Sequence, residues 1–379
     1  MEKNRRTIVS IAYRYNKGPS GGPGGSNSLL EIYNNKYLMI DNMYFVYKPR
    51  ILRFGLISKV NSILIKILRL DLLEWFEKNT YNKEVLKYKQ MNTIYIAHDV
   101  YSGYLCHQKN LKFLLVYHQQ GSLLAEKRSF GVYVPTKIIN KYNRLEEVSF
   151  RNSLVNVFTS LGSKESYIET SLLSHETKTY IKNNSRIIYN SCFLSGEVKT
   201  PRITIDSLEN EFIFLSVTSL SYFKGVDQIP EFLSNLRNDF NFKWILIGQG
   251  PLEDIVKSNA KKYGIYENLI HINDRLTQEE LAYYYDKADF YIMMHRLSIF
   301  DLSTLEAMSS GCVPVLSRVG GNIEFNFNDN VVYTLKILKK TLNEPNYLAI
   351  LKQRNIIAFR QNFSGERLLK NFRNLLSSV

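Results

Sequence analysis

The chain has 379 residues, of which 45% are hydrophobic and 22% charged, a profile typical of a globular protein with two domains. Three widely spaced cysteines, Cys106, Cys192 and Cys312, exclude a disulfide framework or a cysteine metal cluster and fit a reducing cytoplasm. The net charge of +14 favours anionic partners, but charge alone does not choose among nucleic acid, anionic lipid and anionic small molecules.

The chain begins with basic residues and a short apolar run, which Tyr13, Arg14 and Tyr15 interrupt. No small-residue cleavage site follows, so the segment predicts a first buried strand, not a secretory signal. No apolar stretch reaches the roughly 18 to 20 residues that span a bilayer. We expect a cytoplasmic protein.

A glycine-rich motif, SGGPGGSN from Ser20 to Asn27, comes directly after this strand. Its glycines, Gly24 and Gly25 among them, let the backbone approach a phosphate or sugar closely. The motif has neither the spacing of a Rossmann fingerprint nor the lysine of a P-loop. A flexible turn without a ligand is the alternative.

The stretch from Arg50 to Leu70 mixes basic residues with Ile, Leu and Phe at near-helical spacing. It can lie on an anionic membrane surface, which would place the protein peripherally on the inner face of the plasma membrane. The alternative is a domain helix with a solvated basic face.

Short β-branched or aromatic runs alternate with longer helical patterns along the whole chain, which predicts parallel sheets covered by helices, an α/β doubly wound fold. The predicted strands are Thr7–Tyr13, Thr93–Ala97, Phe113–His118, Val155–Thr159, Arg186–Tyr189, Phe212–Thr218, Lys243–Ile247, Leu269–Ile272, Phe290–Met293 and Val313–Leu316. The polar stretch Leu194–Glu209 is the candidate domain boundary, and two such domains would face each other across a cleft at their strand ends.

Several motifs follow one another in the C-terminal half. Each has an ordinary structural explanation when it is taken singly. In chain order they are Thr218-Ser219-Leu220, Lys224-Gly225-Val226-Asp227, Gly248-Gln249-Gly250-Pro251, the Glu279–Tyr285 run, Ser298 to Met308, Ser310 to Val315, and Gly320-Gly321-Asn322-Ile323-Glu324.

In this order and spacing the set resembles the nucleotide-sugar-binding domain of the retaining GT-B glycosyltransferases of family four (glycosyltransferase group 1), over roughly residues 212 to 333. Weaker similarity continues through His118-Gln119-Gln120-Gly121, Thr159-Ser160 and Ile188-Tyr189-Asn190. The resemblance implies a GT-B architecture of two Rossmann-like domains facing a central cleft. It assigns the acceptor to residues 1–195 and the sugar nucleotide to 205–362, with the last helix, 363–379, packing back on the first domain.

The resemblance also implies roles for single residues. Lys224 matches the cation that stabilises the leaving diphosphate, and Glu306 matches the carboxylate that accepts hydrogen bonds from the ribose hydroxyls. His118 matches a histidine facing the donor sugar, although a packed histidine is the alternative. The other residues expected at the donor are Gly24, Gly25, Ser219, Gly250, Arg275, Ser298, Phe300, Asp301, Leu302 and Gly321.

Three positions depart from the family pattern. Ser298 stands where the family has a glutamate that contacts the donor sugar, which suggests a differently held sugar, for example a deoxy or N-acetylated one. Ser219 replaces a phosphate-binding arginine, and Arg275 and Arg296 are the candidates to compensate for it. Asp301 replaces a glycine, and a carboxylate there is tolerable if it caps the helix that starts at Leu302.

The sequence therefore predicts a retaining hexosyl- or deoxyhexosyl-transferase that uses a nucleotide-diphosphate sugar, acts on a glycan or lipid-linked acceptor in capsule or cell-envelope synthesis, and needs no metal or other cofactor. No zinc spacing, aromatic RNA-binding signature or basic recognition helix is present, so nucleic acid is not an expected partner. Two alternatives remain open: a catalytically degenerate GT-B partner or scaffold of an active transferase, and a transferase that acts on proteins.

Overall fold

The computed structural model describes residues 6–12, 22–47, 72–119, 121–129, 131–194, 196–205 and 211–379. Their strands form two separate sheets, and every pairing in both sheets is parallel. The strands of the first sheet are β1 Thr7–Ile11, β2 Met43–Val46, β3 Thr93–Ala97, β4 Lys112–Tyr117, β5 Asn156–Phe158 and β6 Ser185–Ile187. The strands of the second are β7 Phe212–Val217, β8 Phe242–Ile247, β9 Leu269–Ile272, β10 Phe290–Met293 and β11 Val313–Leu316.

In both sheets the order in which the chain adds strands reverses once, as it does in doubly wound sheets. The first sheet has the order β2-β1-β3-β4-β5-β6 and the second has the order β11-β10-β7-β8-β9. The chain therefore moves outward in both directions from β1 in one sheet and from β7 in the other. Such switch points open a crevice at the carboxyl ends of the strands, where α/β sheets bind ligands.

Helices cover the faces of both sheets, as parallel sheets require. In the first half they are α1 Gly22–Tyr37, α2 Leu72–Leu86, α3 Val100–Gln108, α4 Leu123–Ser129, α5 Thr136–Asn152, α6 Leu161–Thr170 and α7 His175–Asn183. In the second half they are α8 Ile229–Ser234, α9 Glu253–Lys262, α10 Gln278–Lys287, α11 Leu302–Ser309, α12 Leu335–Asn343, α13 Pro345–Ala358 and α14 Gly365–Ser377.

Side-chain caps fix where many of these helices begin. Asp99, Ser160 and Ser174 accept hydrogen bonds from backbone N–H groups in the first turns of α3, α6 and α7. In α10, Thr277 and Glu280 form a reciprocal capping box. These caps satisfy N–H groups that a helix start otherwise leaves unpaired, so the polar residues after the strands set the positions of the helices.

The C-terminal helix α14 belongs to the core of the first sheet, not to that of the second. Its buried apolar residues, such as Leu369 and Phe372, pack with Leu30 of α1 and Ile8 of β1. Gly365 opens the helix directly against the Tyr33 ring, where a Cβ atom would lie 2.3 Å from ring carbons. Only glycine allows this approach, so the chain crosses back onto the first half at this residue.

The predicted α/β doubly wound fold is confirmed, with a strand at each of the ten predicted positions and ends shifted by a residue or two. The sequence prediction missed β2, a half-buried edge strand of the first sheet. The glycine motif is helical from Gly22 onward, with Gly24 and Gly25 buried in the first turns of α1, and its predicted contact with the donor stays a prediction. The basic stretch from Arg50 to Leu70 lies outside the described residues, as do Ser20, Gly21 and Gln120.

Candidate active site

A cleft of about 730 Å³ lies where the two sheets present the carboxyl ends of their strands. On the second sheet, Val217 ends β7 and Thr218 and Ser219 directly follow it, while His295, Leu297 and Ser298 follow β10. These two strands are neighbours at the switch point, so the cleft is in the position expected for a ligand site. The first sheet contributes Gly22, His118, Glu126, Thr159, Asn190 and Phe193.

Lys224 ends a short helical turn that follows β7 and lines this cleft. The next residue, Gly225, has a φ of +62°, and a Cβ atom there would lie 1.7 Å from the Met294 carbonyl oxygen. A glycine is therefore needed to bring the lysine loop against the end of β10. The Nζ atom of Lys224 forms an ion pair of 2.6 Å with Oδ1 of Asp301.

Asp301 caps α11, as the sequence predicted. Its Oδ2 atom accepts hydrogen bonds from the backbone N–H and the hydroxyl of Thr304, at 3.2 and 3.1 Å, and from the Tyr291 hydroxyl at 3.2 Å. Burial acts to raise the pKa of Asp301, but Lys224 and His295 outweigh it and hold that pKa well below its usual range. The carboxylate is thus ionised, and its charge neutralises the lysine expected to meet a diphosphate.

His295, which the sequence analysis missed, lies on the other side of Asp301. Its Nε2 atom is 3.7 Å from Oδ1 of Asp301 and makes no hydrogen bond to the described part of the chain, while its Nδ1 atom is 3.3 Å from the side-chain nitrogen of Asn322. Asn322 also donates to the Ser317 carbonyl, so that nitrogen is a donor and the proton of the neutral imidazole sits on Nε2. Burial lowers the pKa of His295, although Asp301 opposes the shift. The sequence signal that could have found His295 is its position two residues after β10, a strand at the switch point.

Glu306 lies near the middle of α11 and also lines the cleft. The Tyr285 hydroxyl donates to its Oε2 atom at 2.8 Å. Burial is the main reason that the pKa of Glu306 is raised to about 7. The hydrogen bond from Tyr285 lowers this pKa, and the negative charge of Asp301 raises it further. The carboxylate is therefore an acceptor that gains its charge only near neutral pH.

The opposite wall of the cleft carries His118, which is buried and follows β4. Its Nε2 atom is 3.0 Å from Nδ1 of His98, and Nε2 of His98 is 3.0 Å from the Ser10 hydroxyl. Burial lowers the pKa of His118 to about 3. For His98, burial and the neighbouring His118 ring together hold the pKa well below its usual value. Both rings are therefore neutral near pH 7. Nδ1 of His118 has no partner among the described residues, so it is left for a ligand.

Two more buried groups in the cleft have no hydrogen-bond partner among the residues that the structure describes. They are the hydroxyls of Thr159, after β5, and of Ser298, after β10. A buried hydroxyl without a partner is costly, and a ligand that fills the cleft can supply one. Ser298 is the position where the family pattern has a glutamate, so the structure places a neutral group where a charge was expected.

The other predicted donor residues divide into two groups. Ser219, Phe300 and Leu302 line the cleft. The residues that do not line it are Gly24, Gly25, Gly250, Arg275 and Gly321. Gly250 and Gly321 act in packing, because a Cβ atom on either would collide with the backbone of Leu220 or Ile299.

Neither candidate for the missing arginine lines the cleft. Arg275 is exposed. Arg296 forms a bidentate ion pair with Asp227, at 2.7 and 2.6 Å, and its guanidinium lies 4.2 Å from the centre of the Tyr222 ring. It also donates to the Tyr222 carbonyl, so it braces the turn that carries Lys224.

The two halves of the molecule touch beside the cleft. Both carboxylate oxygens of Glu324 accept backbone N–H groups at the start of α6, from Leu161 at 2.8 Å and Gly162 at 2.9 Å. The Ser160 hydroxyl donates to the Ile299 carbonyl. The Tyr189 ring stacks on Phe300 at 5.2 Å between centroids. The segment carrying Ser298 and Asp301 is therefore held from both halves.

Within the described parts of the chain, no group of three or more His, Cys, Asp and Glu side chains could hold a metal ion. None of the helices described there combines the length and the apolar character needed to cross a bilayer.

Comparison with known proteins adds to this geometry. Residues 201–336 match the family described as "Glycosyl transferases group 1". An uncharacterized glycosyltransferase from Methanocaldococcus jannaschii is 25% identical over 123 residues, 32% of this chain and 31% of that protein. The alpha-monoglucosyldiacylglycerol synthase of Streptococcus pneumoniae is 27% identical over 122 residues, 32% of this chain and 27% of that protein. The matched region thus spans about a third of the curated relatives' length.

Solved structures match over nearly the whole chain. HepE from Anabaena, solved in complex with UDP, has a TM-score of 0.65 at 15% identity, covering 98% of this chain and 100% of its own. Sucrose-phosphate synthase from Thermosynechococcus elongatus has a TM-score of 0.64 at 14% identity, covering 99% and 100%. The chain therefore has the two-sheet fold of the GT-B glycosyltransferases, and its C-terminal half matches the group 1 glycosyl transferase family.

Proposed function

We propose that this protein transfers a sugar from a nucleotide-diphosphate sugar to a glycan or lipid-linked acceptor, with retention of the anomeric configuration. One observation carries the proposal: Lys224, the capped start of α11 and Glu306 line the same side of a cleft at the switch point of the second sheet. This is a cation, a helix N-terminus and a hydrogen-bond acceptor, the set that a nucleoside diphosphate needs. The similar HepE structures contain UDP or UDP-glucose.

In the proposed reaction the bond between the anomeric carbon and the diphosphate oxygen breaks, and the acceptor hydroxyl oxygen bonds to the same face of that carbon. The acceptor proton passes to an oxygen of the departing diphosphate, so no side chain has to form a covalent intermediate. Negative charge grows on the diphosphate in the transition state. Lys224 and the N–H groups at the start of α11 stabilise that charge more than the ground state.

The ion pair between Lys224 and Asp301 has a consequence for binding. At 2.6 Å the lysine already has a partner, so a diphosphate must share Lys224 with the carboxylate or displace it. Asp301 stays fixed by Thr304 and Tyr291 in either case. We propose that this arrangement replaces metal, and that the transferase needs no divalent ion.

The neutral groups around the rest of the cleft bear on the sugar. His118, Thr159 and Ser298 each keep a buried polar atom that no described residue partners, and none of the three is charged near pH 7. Hydroxyls both donate and accept, whereas the expected glutamate only accepts. We propose that the donor sugar carries an acceptor group such as an acetamido oxygen, or lacks a hydroxyl, at the position facing Ser298.

For the acceptor, the proposal is a capsule or cell-envelope glycan precursor. Relatives with matching segments include the protein CapJ of Staphylococcus aureus and the Streptococcus pneumoniae synthase named above, whose name specifies a diacylglycerol glycolipid. A protein acceptor is the competing case, and analysis of the product's mass distinguishes the two.

The experiment is a panel of UDP-, GDP- and dTDP-sugars, each incubated with the protein and followed by release of the nucleoside diphosphate. Binding to the same panel is measured by calorimetry. The product's anomeric configuration is read by NMR. We expect release with at least one donor, an unchanged rate in EDTA, and much weaker nucleotide binding in Glu306→Gln than in the exposed control Glu267→Gln. The proposal is refuted if no donor of the panel binds and none is turned over.

A second candidate, a catalytically degenerate partner of an active transferase, is favoured by two observations. Asp301 neutralises Lys224, and Ser298 lacks the carboxylate of the family pattern. A partner of this kind would bind a nucleotide or a transferase without turning over any donor. Tight nucleotide binding with no release across the panel would select it.

A further inference from the structure

A basic and apolar arm lies in the first half of the molecule, between the end of α4 and the middle of α5. We define it as residues 127–128 and 131–144. The Tyr133 side chain is 86% exposed and that of Val132 is 48% exposed. Ile138 and Ile139, in the first turn of α5, are half-buried. Apolar side chains this exposed on neighbouring residues mark a contact surface.

The charge of the arm has one sign. Five basic residues lie in it, and no Asp or Glu occurs between Glu126 and Glu146. All five are exposed, and none forms an ion pair with another described residue. They are Lys127, Arg128, Lys137, Lys141 and Arg144. The arm therefore offers uncompensated positive charge beside exposed apolar groups.

The base of the arm is rigid and reaches the cleft. Glu146 is buried in α5 and accepts the backbone N–H of Leu123, at the start of α4, at 2.6 Å and the Tyr117 hydroxyl at 3.2 Å. Glu126 of α4 lines the cleft. The arm begins at Lys127, the residue that follows this part of the cleft wall.

We propose that this arm docks the protein on an anionic lipid bilayer, with Val132 and Tyr133 in the interface and the five basic side chains over the headgroups. Basic residues near an anionic leaflet each strengthen partitioning about fivefold, and an amphipathic tyrosine suits the headgroup level. A bilayer is the occupant that uses both features of the arm. A polyanion such as nucleic acid would use the charge and leave the apolar tip in water.

Docking at this place would turn the cleft mouth toward the membrane. An acceptor whose sugar is attached to a lipid could then enter without leaving the bilayer. The proposal does not depend on the transferase activity, because lipid binding is measured without any donor or acceptor. The basic stretch from Arg50 to Leu70 is a separate candidate for the same partner, and the test below separates the two.

The test is co-flotation of the full chain with vesicles of phosphatidylcholine alone or with about a third phosphatidylglycerol. We expect binding to the anionic vesicles only. Lys137→Gln with Lys141→Gln should weaken it about 25-fold, and Tyr133→Ser several-fold. The matched control for the lysines is Lys336→Gln with Lys370→Gln, which replaces two exposed lysines elsewhere. The control for the tyrosine is Met91→Ser, at a side chain that is 92% exposed. Each control should change vesicle binding less than twofold.

A second readout uses Tyr133→Trp, which keeps the aromatic character of the tip. Its fluorescence should shift to the blue when anionic vesicles are added, as the indole leaves water. Unchanged thermal unfolding shows that each variant is folded. The proposal is wrong if the arm variants bind vesicles as tightly as the unchanged protein does. It is also wrong if only Arg53→Gln with Lys59→Gln abolishes vesicle binding, or if the arm variants lose binding to heparin but not to vesicles.

Discussion

The two walls of the cleft are built alike but carry opposite kinds of chemistry. Each consists of side chains placed just after parallel strands, at the switch-point edge of a doubly wound sheet. The wall from the second sheet holds ions, namely Lys224, Asp301 and, near neutral pH, Glu306. The wall from the first sheet holds the neutral imidazoles of His118 and His98.

This difference follows from what lies next to each group. On the second wall a buried carboxylate has a lysine at 2.6 Å, so charge survives burial. On the first wall each histidine has only another neutral ring or a hydroxyl as partner, so burial removes its charge. A donor bound between them would place its diphosphate on the ionic wall and its sugar toward the neutral wall.

Replacing Lys224 by Ala should have the largest effect on the proposed transfer. We expect kcat to fall about a thousandfold with little change in donor affinity, because the lysine acts on charge that develops in the transition state. The measurement is steady-state kinetics with the best donor of the panel. Lys257→Ala, at a surface ion pair on α9, is the control. An effect confined to KM would contradict the assigned role.

Asp301→Asn breaks the charge balance of the ionic wall while keeping an oxygen that can cap α11. With Lys224 no longer neutralised, we expect UDP to bind about tenfold more tightly, equivalent to about 1.4 kcal/mol. Calorimetric titration with UDP measures this. Weaker binding in the variant would show that Asp301 helps to hold the ligand.

The same variant should be less stable. Losing one partner of a largely buried pair costs about 3 to 5 kcal/mol, and we discount this to about 2 because Lys224 is 23% exposed. The folded-state pKa of Asp301 lies below its unfolded value, so this stability is present above pH ~4 and is lost as the pH falls through the folded pKa. Urea unfolding at several pH values should show that the unchanged protein and Asp301→Asn differ less in their free energy of unfolding as the pH falls.

Glu306 should make donor binding depend on pH. With a pKa raised to about 7, its ionised fraction falls about tenfold between pH 8 and pH 6, so affinity for an intact UDP-sugar should weaken by up to about tenfold over that range. The diphosphate of such a donor does not titrate there, and His118, with a pKa of about 3, does not either. Glu306→Gln should bind weakly and without this slope. A slope that persists in the variant would assign the titration to another group.

Much of the ionic wall was predictable, because its motifs are continuous in the sequence. The family resemblance singled out the Lys-Gly pair after β7 and Glu306, and an Asp directly before an apolar helical run predicted the cap. The cap by Asp301 was predicted in this way and is confirmed. Its ion pair with Lys224 was not, because it joins residues 77 apart in the chain. Only the parallel packing of β7 and β10 brings the two loops together.

The features that were missed depend on tertiary contacts. His98 and His295 are ordinary histidines in the sequence, and their importance comes from His118 and Asp301, which neighbouring elements bring to them. The helical conformation of the glycine motif after Gly22 was also not foreseen. Burial against the first sheet and α14 outweighs the low helix propensity of glycine there.

The smallest predicted effect tests the neutral wall. His98→Ala removes the only hydrogen bond that His118 makes to a described residue, without touching the ionic wall. Since such a bond contributes about 1 kcal/mol, we expect kcat to fall about fivefold while the affinity for UDP stays the same. His98→Gln, which keeps a polar group near Nε2 of His118, should recover part of the loss. If UDP affinity falls together with kcat, the two walls are not independent, and the division of diphosphate and sugar between them is wrong.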